Sequence, residues 1–198
     1  MKILITGGNS SFAKKLKEIG GDKYITPTRQ ELDLVDKASI LKFYENNKDI
    51  DGIIFNARNS GNDVLSTVEQ WLDSGNEAML IDVLKLNYIA TGALIHLYKD
   101  SLRFVVGLST GMINHDSKSQ CCPSYIFEKE ILKNTIERFS YTQRLEGIKM
   151  FNINPGPMNT DQEYYNSAIK MDKIVSNLDL VENGSFEWIN NTRFDNEN

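Results

Sequence analysis

Tyr125 and Lys129 stand four residues apart in Tyr125-Ile126-Phe127-Glu128-Lys129, a spacing that puts both side chains on one face of a helix. A phenol ordinarily titrates near 10, so to act as an acid or base near neutrality it needs a cation beside it. An ammonium about 5 Å away, at an effective dielectric of about 20, contributes roughly 3 kcal/mol and brings the phenol toward that range. The pattern alone is common in a chain with 8 tyrosines, and Tyr44 and Lys48 repeat it. Position separates the two pairs, because Tyr44 falls on a helix remote from the strand ends while Tyr125 follows a strand and its turn. The second loaded stretch, Thr6-Gly7-Gly8-Asn9-Ser10-Ser11-Phe12-Ala13, joins an apolar run to an amphipathic one. Free backbone N–H groups and the positive end of a helix dipole at such a turn favour a phosphate, and small residues let it approach. A glycine turn after a strand is also often only a turn.

Those residues need elements to hold them. The apolar run Ile3 to Ile5 is too short for a helix and stops at glycines, so it reads as a buried parallel strand. Phe12, Leu16 and Ile19 then recur at helical spacing. The alternation continues with a strand at Lys23 to Ile25, a helix at Lys37 to Asn46 and a strand at Gly52 to Phe55. A long helix follows at about Ala78 to Tyr98, then a strand at Arg103 to Leu108, a helix at about Pro123 to Tyr141 and a strand at Lys149 to Ile153. Strands separated by helices of this length require crossover connections, which predicts an α/β fold, one doubly wound parallel sheet of Rossmann type with helices on both faces. Ligands of such sheets sit beyond the carboxyl ends of the strands, where strand order reverses. The chain reads as one domain over residues 1–198, with a short C-terminal segment from about 161 and an edge strand around Phe186 to Ile189.

Five landmarks occur in order: Thr6-Gly7-Gly8, Asn56-Ala57, Asn87, Tyr125 with Lys129, and Pro155-Gly156-Pro157-Met158-Asn159-Thr160. Together they resemble the short-chain dehydrogenases/reductases over residues 1 to about 160. Against that family's T-G-x-x-x-G-x-G, Ser11 and Ala13 stand in glycine places, and Arg58 stands where N-N-A-G ends in glycine. Arg58 there either meets a phosphate or crowds the nicotinamide side. The resemblance implies a coenzyme site made of Thr6, Gly7, Gly8, Ser10, Ser11, Phe12, Asn56, Ala57, Pro155, Gly156 and Thr160, with Thr160 reaching the nicotinamide carboxamide or a phosphate. Asp33, in Leu32-Asp33-Leu34, takes the acidic place that contacts the adenine amino group. No carboxylate follows the second strand to accept from the ribose hydroxyls of NAD. Arg29 stands there instead, suited to a 2′-phosphate, so NADP(H) is expected over NAD(H); the plain alternative is a solvated surface arginine. Tyr125 is implied as acid/base and Lys129 as its tuner and ribose anchor. The carbonyl polariser is Thr110 or Ser109, and Asn87 is the holder of a relay water or, more simply, a packing residue.

The implied activity is an NADP(H)-dependent oxidoreductase moving a hydride between nicotinamide and a small carbonyl or secondary alcohol. The alternative is a catalytically weak or inactive nucleotide-binding sensor or interaction protein on the same fold, since fold does not fix function. Few residues follow the Pro155 loop to build a substrate lid. The family often buries the Tyr125 helix between subunits, so a homo-oligomer, dimer or tetramer, is expected.

A net charge of -5, from 22 Lys+Arg against 27 Asp+Glu, disfavours nucleic acid, whose binding rests on clustered cations. His96 and His115 are not spaced as metal ligands, and no metal site is expected. Adjacent Cys121 and Cys122 read as reduced thiols, because a bridge between sequence neighbours strains the backbone. No apolar run reaches the roughly 18 to 20 residues expected of a bilayer span, and glycines precede any signal-type segment, so the expectation is a cytoplasmic protein with no membrane partner.

Overall fold

The computed structural model describes residues 1–58, 77–110, 123–156 and 158–189. Cys121, Cys122, His115, Pro157 and the tail beyond 189 lie outside the described residues.

Among the described residues six strands form one sheet: β1 (Ile3–Ile5), β2 (Tyr24–Ile25), β3 (Gly52–Phe55), β4 (Phe104–Leu108), β5 (Lys149–Asn154) and β6 (Phe186–Trp188). Their spatial order is β2-β1-β3-β4-β5-β6 and every neighbouring pair is parallel. The chain winds outward from β1 to β2, then crosses back to place β3 on the other side of β1. The order therefore reverses at β1 and β3, and the crevice of a doubly wound sheet opens there.

Alternation along each strand feeds two cores. Ile3, Ile5, Ile54, Val106, Phe151 and Ile153 face one side, against Phe12, Ala13 and Leu16 of α1 (Ser11–Gly20) and Ala168, Met171 and Val175 of α6 (Asp161–Ser176). Leu4, Ile53, Phe55, Val105 and Met150 face the other. There they meet Ile40 and Phe43 of α2 (Lys37–Asn46), Leu94, Ile95 and Tyr98 of α4 (Thr91–Tyr98), and Leu132 and Ile136 of α5 (Pro123–Ser140). β1, β3 and β4 run without a polar side chain because helices cover both faces, which is why short runs of Ile, Val and Phe identified them, whereas β5 carries buried Asn152 and Asn154.

Three expectations are refined. The second strand loses Lys23 to a 3₁₀ turn at Gly21–Lys23. The long helix has three sections, α3 (Glu77–Leu84), a π-helical stretch at Lys85–Ala90, and α4. By length and composition its span Leu80–Tyr98, 19 residues of mean hydropathy 1.3, is able to cross a bilayer, which corrects the expectation that no segment is long and apolar enough. In the fold one side of that helix is spent on the sheet, with Val83, Ala90, Leu94, Ile95 and Tyr98 buried. Lastly, the segment from about 161, where the sequence predicts no helix, holds α6, which packs along α1 and into the core.

Candidate active site

The turn after β1 is laced to the end of β3. Thr6 Oγ1 accepts from the N–H groups of Asn56 and Ala57, both at 3.0 Å. Asn56 returns the contact, its Nδ2 donating to Thr6 O at 3.0 Å and Ser10 Oγ at 2.8 Å. Ser10 caps α1, its Oγ accepting from Ala13 N at 3.1 Å. Gly7 has φ of +72°, and a Cβ there would sit 2.8 Å from Ala57 Cα; a Cβ on Gly8 would collide with Thr26 O. The glycines thus let two strand ends meet closely. No non-glycine residue among those described has positive φ, so Ser11 stands in its glycine place without backbone strain. Phe12 has its ring in the core. The first turn of α1 still offers N–H groups that have no intrahelical acceptor, the setting that suits a phosphate.

Beside this turn lies a cleft of about 530 Å³, lined by Gly7, Gly8, Asn9, Ser10, Arg29, Asp33, Asn56, Ala57 and Arg58, with Leu32, Leu34, Val35, Asp82 and Leu86 as further walls. It brings together seven of the residues assigned to the coenzyme: Gly7, Gly8, Ser10, Arg29, Asp33, Asn56 and Ala57. Arg29 Nε pairs with Asp33 Oδ2 at 3.2 Å, and the arginine side chain is 74% exposed. The apolar walls suit an adenosine, and the glycine end suits its phosphates.

The second cluster gathers at the carboxyl end of β4. Lys129 is buried on α5, and its Nζ donates to Leu108 O at 2.9 Å. The same Nζ lies 6.0 Å from the centroid of the Tyr125 ring. Burial lowers Lys129 to about 8, the neighbouring Glu128 charge opposes that, and Arg58 adds to it. Ser109 continues the ladder, its N–H donating to Ile153 O at 2.8 Å, while its buried Oγ has no hydrogen-bond partner among the described residues. Thr110, next to it, is also buried. Asn87 is buried in the π-helical stretch and its Nδ2 donates to Val83 O and to Glu128 Oε1.

Arg58 connects the two clusters. It lines the cleft, and its guanidinium carbon stands 4.8 Å over the Tyr125 ring, a cation–π arrangement. The competing pair is elsewhere: Tyr44 packs edge-on against Tyr98, ring centroids 5.0 Å apart. In the loop after β5, Gly156 N–H donates to Asn154 Oδ1 at 3.1 Å and Ser167 Oγ donates to Pro155 O at 3.0 Å. Thr160 caps α6, accepting from Glu163 N while Glu163 accepts from Thr160 N. Pro155, Gly156 and Thr160 are not among the cleft-lining residues.

Sequence reasoning missed Glu128. A glutamate inside a helix reads as part of a solvated face, and its Asn87 partner is 41 residues away; only its place beside Lys129 could have drawn notice.

No protein-family model matches the chain, and no curated protein matches it. Solved structures do. An oxidoreductase described as a short-chain dehydrogenase/reductase, from Brucella ovis, aligns with 96% of this chain and 100% of its own at a TM-score of 0.72 and 19% identity. A Brucella ovis oxidoreductase of that description, in complex with a partially ordered NAD, gives a TM-score of 0.72 at 18% identity over 96% and 99%. A small-chain dehydrogenase in complex with NADPH gives 0.68 at 14% over 98% and 98%. The fold of this chain is the fold of the short-chain dehydrogenases/reductases.

Proposed function

We propose that this chain is a nicotinamide-dependent oxidoreductase of short-chain dehydrogenase/reductase type, acting on a small carbonyl compound or secondary alcohol and preferring NADP(H). The observation that carries the reading is the position of Lys129: buried at the carboxyl end of β4, beside Tyr125, with Arg58 reaching from the cleft to the same ring. When bound, the coenzyme supplies the hydride. Tyr125 gives the proton to the carbonyl oxygen in reduction and takes it from the hydroxyl in oxidation. Lys129 and Arg58, both cationic, favour the phenolate that this exchange leaves. The unspent hydroxyl of Ser109 supports its choice as the donor to the carbonyl oxygen, with Thr110 adjacent. Gly7, Gly8, Ser10, Asn56 and Ala57 hold the pyrophosphate end and Asp33 the adenine. Arg29, largely exposed at the cleft, exchanges its Asp33 partner for a 2′-phosphate, which supports NADPH.

The test is titration with NADPH and NADH, followed by nicotinamide fluorescence, and turnover of a panel of ketones and aldehydes by wild type and Tyr125→Phe. Turnover that the substitution reduces at least about a hundredfold is expected, the usual scale of a general acid/base. Tight NADPH binding with no turnover across the panel would instead favour the nucleotide-sensing alternative.

We also propose a homo-oligomer. Ile81, Leu84, Tyr88 and Ile89 recur at helical spacing on α3 and the π-helical stretch, and all are exposed, as is Phe127 on the neighbouring α5. Exposed apolar side chains gathered on adjacent helices mark an interaction surface.

A further inference from the structure

β4 and β5 end side by side and turn polar groups to the same face. Gly107 and Asn152 are register partners, and both look toward α5. A Cβ on Gly107 would meet Asn152 Oδ1 and Ile136 Cγ1, and Asn152 Nδ2 donates to Lys133 O at 3.1 Å. Residues two apart on a strand share a face, so Ser109 and Asn154 stand on the α5 side as well, one pleat nearer the carboxyl ends. The ladder keeps them in step, Ser109 N–H donating to Ile153 O at 2.8 Å. At that level α5 supplies Lys129, whose Nζ reaches Leu108 O, and Tyr125 follows one helical turn on.

Asn154 is 3% exposed. Its Oδ1 accepts from Gly156 N–H at 3.1 Å, which fixes the carboxamide and identifies its oxygen end. The Nδ2 end donates to none of the described residues. Ser109 Oγ, also buried, has no partner among them either. Buried donors are nearly always paired, so two unspent ones at neighbouring strand ends of a doubly wound sheet mark the place of a ligand's acceptors. We infer that Asn154 is a specificity-determining residue that donates to a second substrate oxygen, carried on the carbon next to the reacting carbonyl, and that the substrates are α-oxygenated ketones. This rests on the reading of Tyr125 as proton donor and Ser109 as donor to the carbonyl oxygen. Those two hydroxyls fill both lone pairs of that oxygen, which leaves the Asn154 amide for another acceptor. Neighbouring strands run about 4.8 Å apart, a span that two oxygens on adjacent carbons bridge when each takes one hydrogen bond.

The experiment compares kcat/KM for methoxyacetone and 2-pentanone, two ketones of the same shape in which an ether oxygen replaces a methylene, with NADPH and the full chain. Wild type should favour methoxyacetone by about threefold or more, the scale of one hydrogen bond. Asn154→Asp keeps an acceptor for Gly156 N–H and exchanges the amide donor for an oxygen that only accepts, and Asn154→Ala removes the carboxamide altogether. Both should bring the ratio of the two ketones down by about threefold or more. The ratio cancels any loss common to both ketones, so a merely structural role for Asn154 leaves it unmoved. A ratio unchanged in both variants overturns the proposal. Should neither variant fold, wild type decides: the stated preference supports the assignment, and 2-pentanone reduced as well as methoxyacetone overturns it. Failure of the reductase reading looks different, since then neither ketone is turned over and the assignment falls with it, whereas equal turnover of both leaves the reductase standing and removes only the role of Asn154.

Discussion

Arg29 and Asp33 pair across four residues at the cleft, and coenzyme choice should turn on that arginine. A hydrogen bond to a charged group contributes about 1.5–3 kcal/mol. Arg29→Ala is therefore expected to weaken NADPH binding at least about tenfold while leaving NADH nearly unchanged, measured as two dissociation constants. Lys129 makes a second prediction. Below about 8 it is charged both folded and unfolded, and burial opposes folding in full; between about 8 and 10.5 the folded chain has shed the proton that the unfolded chain still holds. Stability should thus rise with pH across that window, by an amount on the order of 3 kcal/mol, and denaturant titrations of Lys129→Met should lose that rise. At this scale the sequence was legible for placement: Tyr125 and Lys129 lie together on α5, and the Gly7 turn joins β1 to α1. It was silent on Glu128 and on the role of Arg58, because burial and ring stacking arise from segments far apart in the chain.

At the scale of elements, each turn is held by a few side chains whose removal has a bounded cost. Thr160→Ala deletes the cap of α6 and its reciprocal bond with Glu163, which should cost about 1 kcal/mol in thermal or chemical unfolding. Gly7→Ala puts a methyl group 2.8 Å from Ala57 Cα at a φ of +72°, and the expected loss of about 1–3 kcal/mol should come with weakened coenzyme binding. Apolar runs such as Ile53-Ile54-Phe55 and Phe104-Val105-Val106 named their strands because parallel strands are dry on both faces. The π-helical stretch was not legible, since Lys85-Leu86-Asn87-Tyr88-Ile89-Ala90 keeps the composition of an ordinary helix. What sets it apart is one wider turn, which sequence periodicity does not register.

For the whole molecule, the alternation of strand and helix was enough to give a doubly wound sheet, while the exact order followed only once β3 was seen to cross to the far side of β1. The exposed row on α3 and the π-helical stretch predicts association. Replacing Ile81 and Ile89 with Asp should shift sedimentation toward monomer without lowering NADPH affinity; an unchanged sedimentation coefficient would refute that surface. Among the described residues the sheet ends in strands of only 2 and 3 residues, β2 and β6. A long bare margin of backbone would be a template on which other chains could stack into fibres, and so brief a selvedge offers little to copy. The protein should therefore withstand concentration and partial heating without seeding amyloid, read as no rise in thioflavin fluorescence.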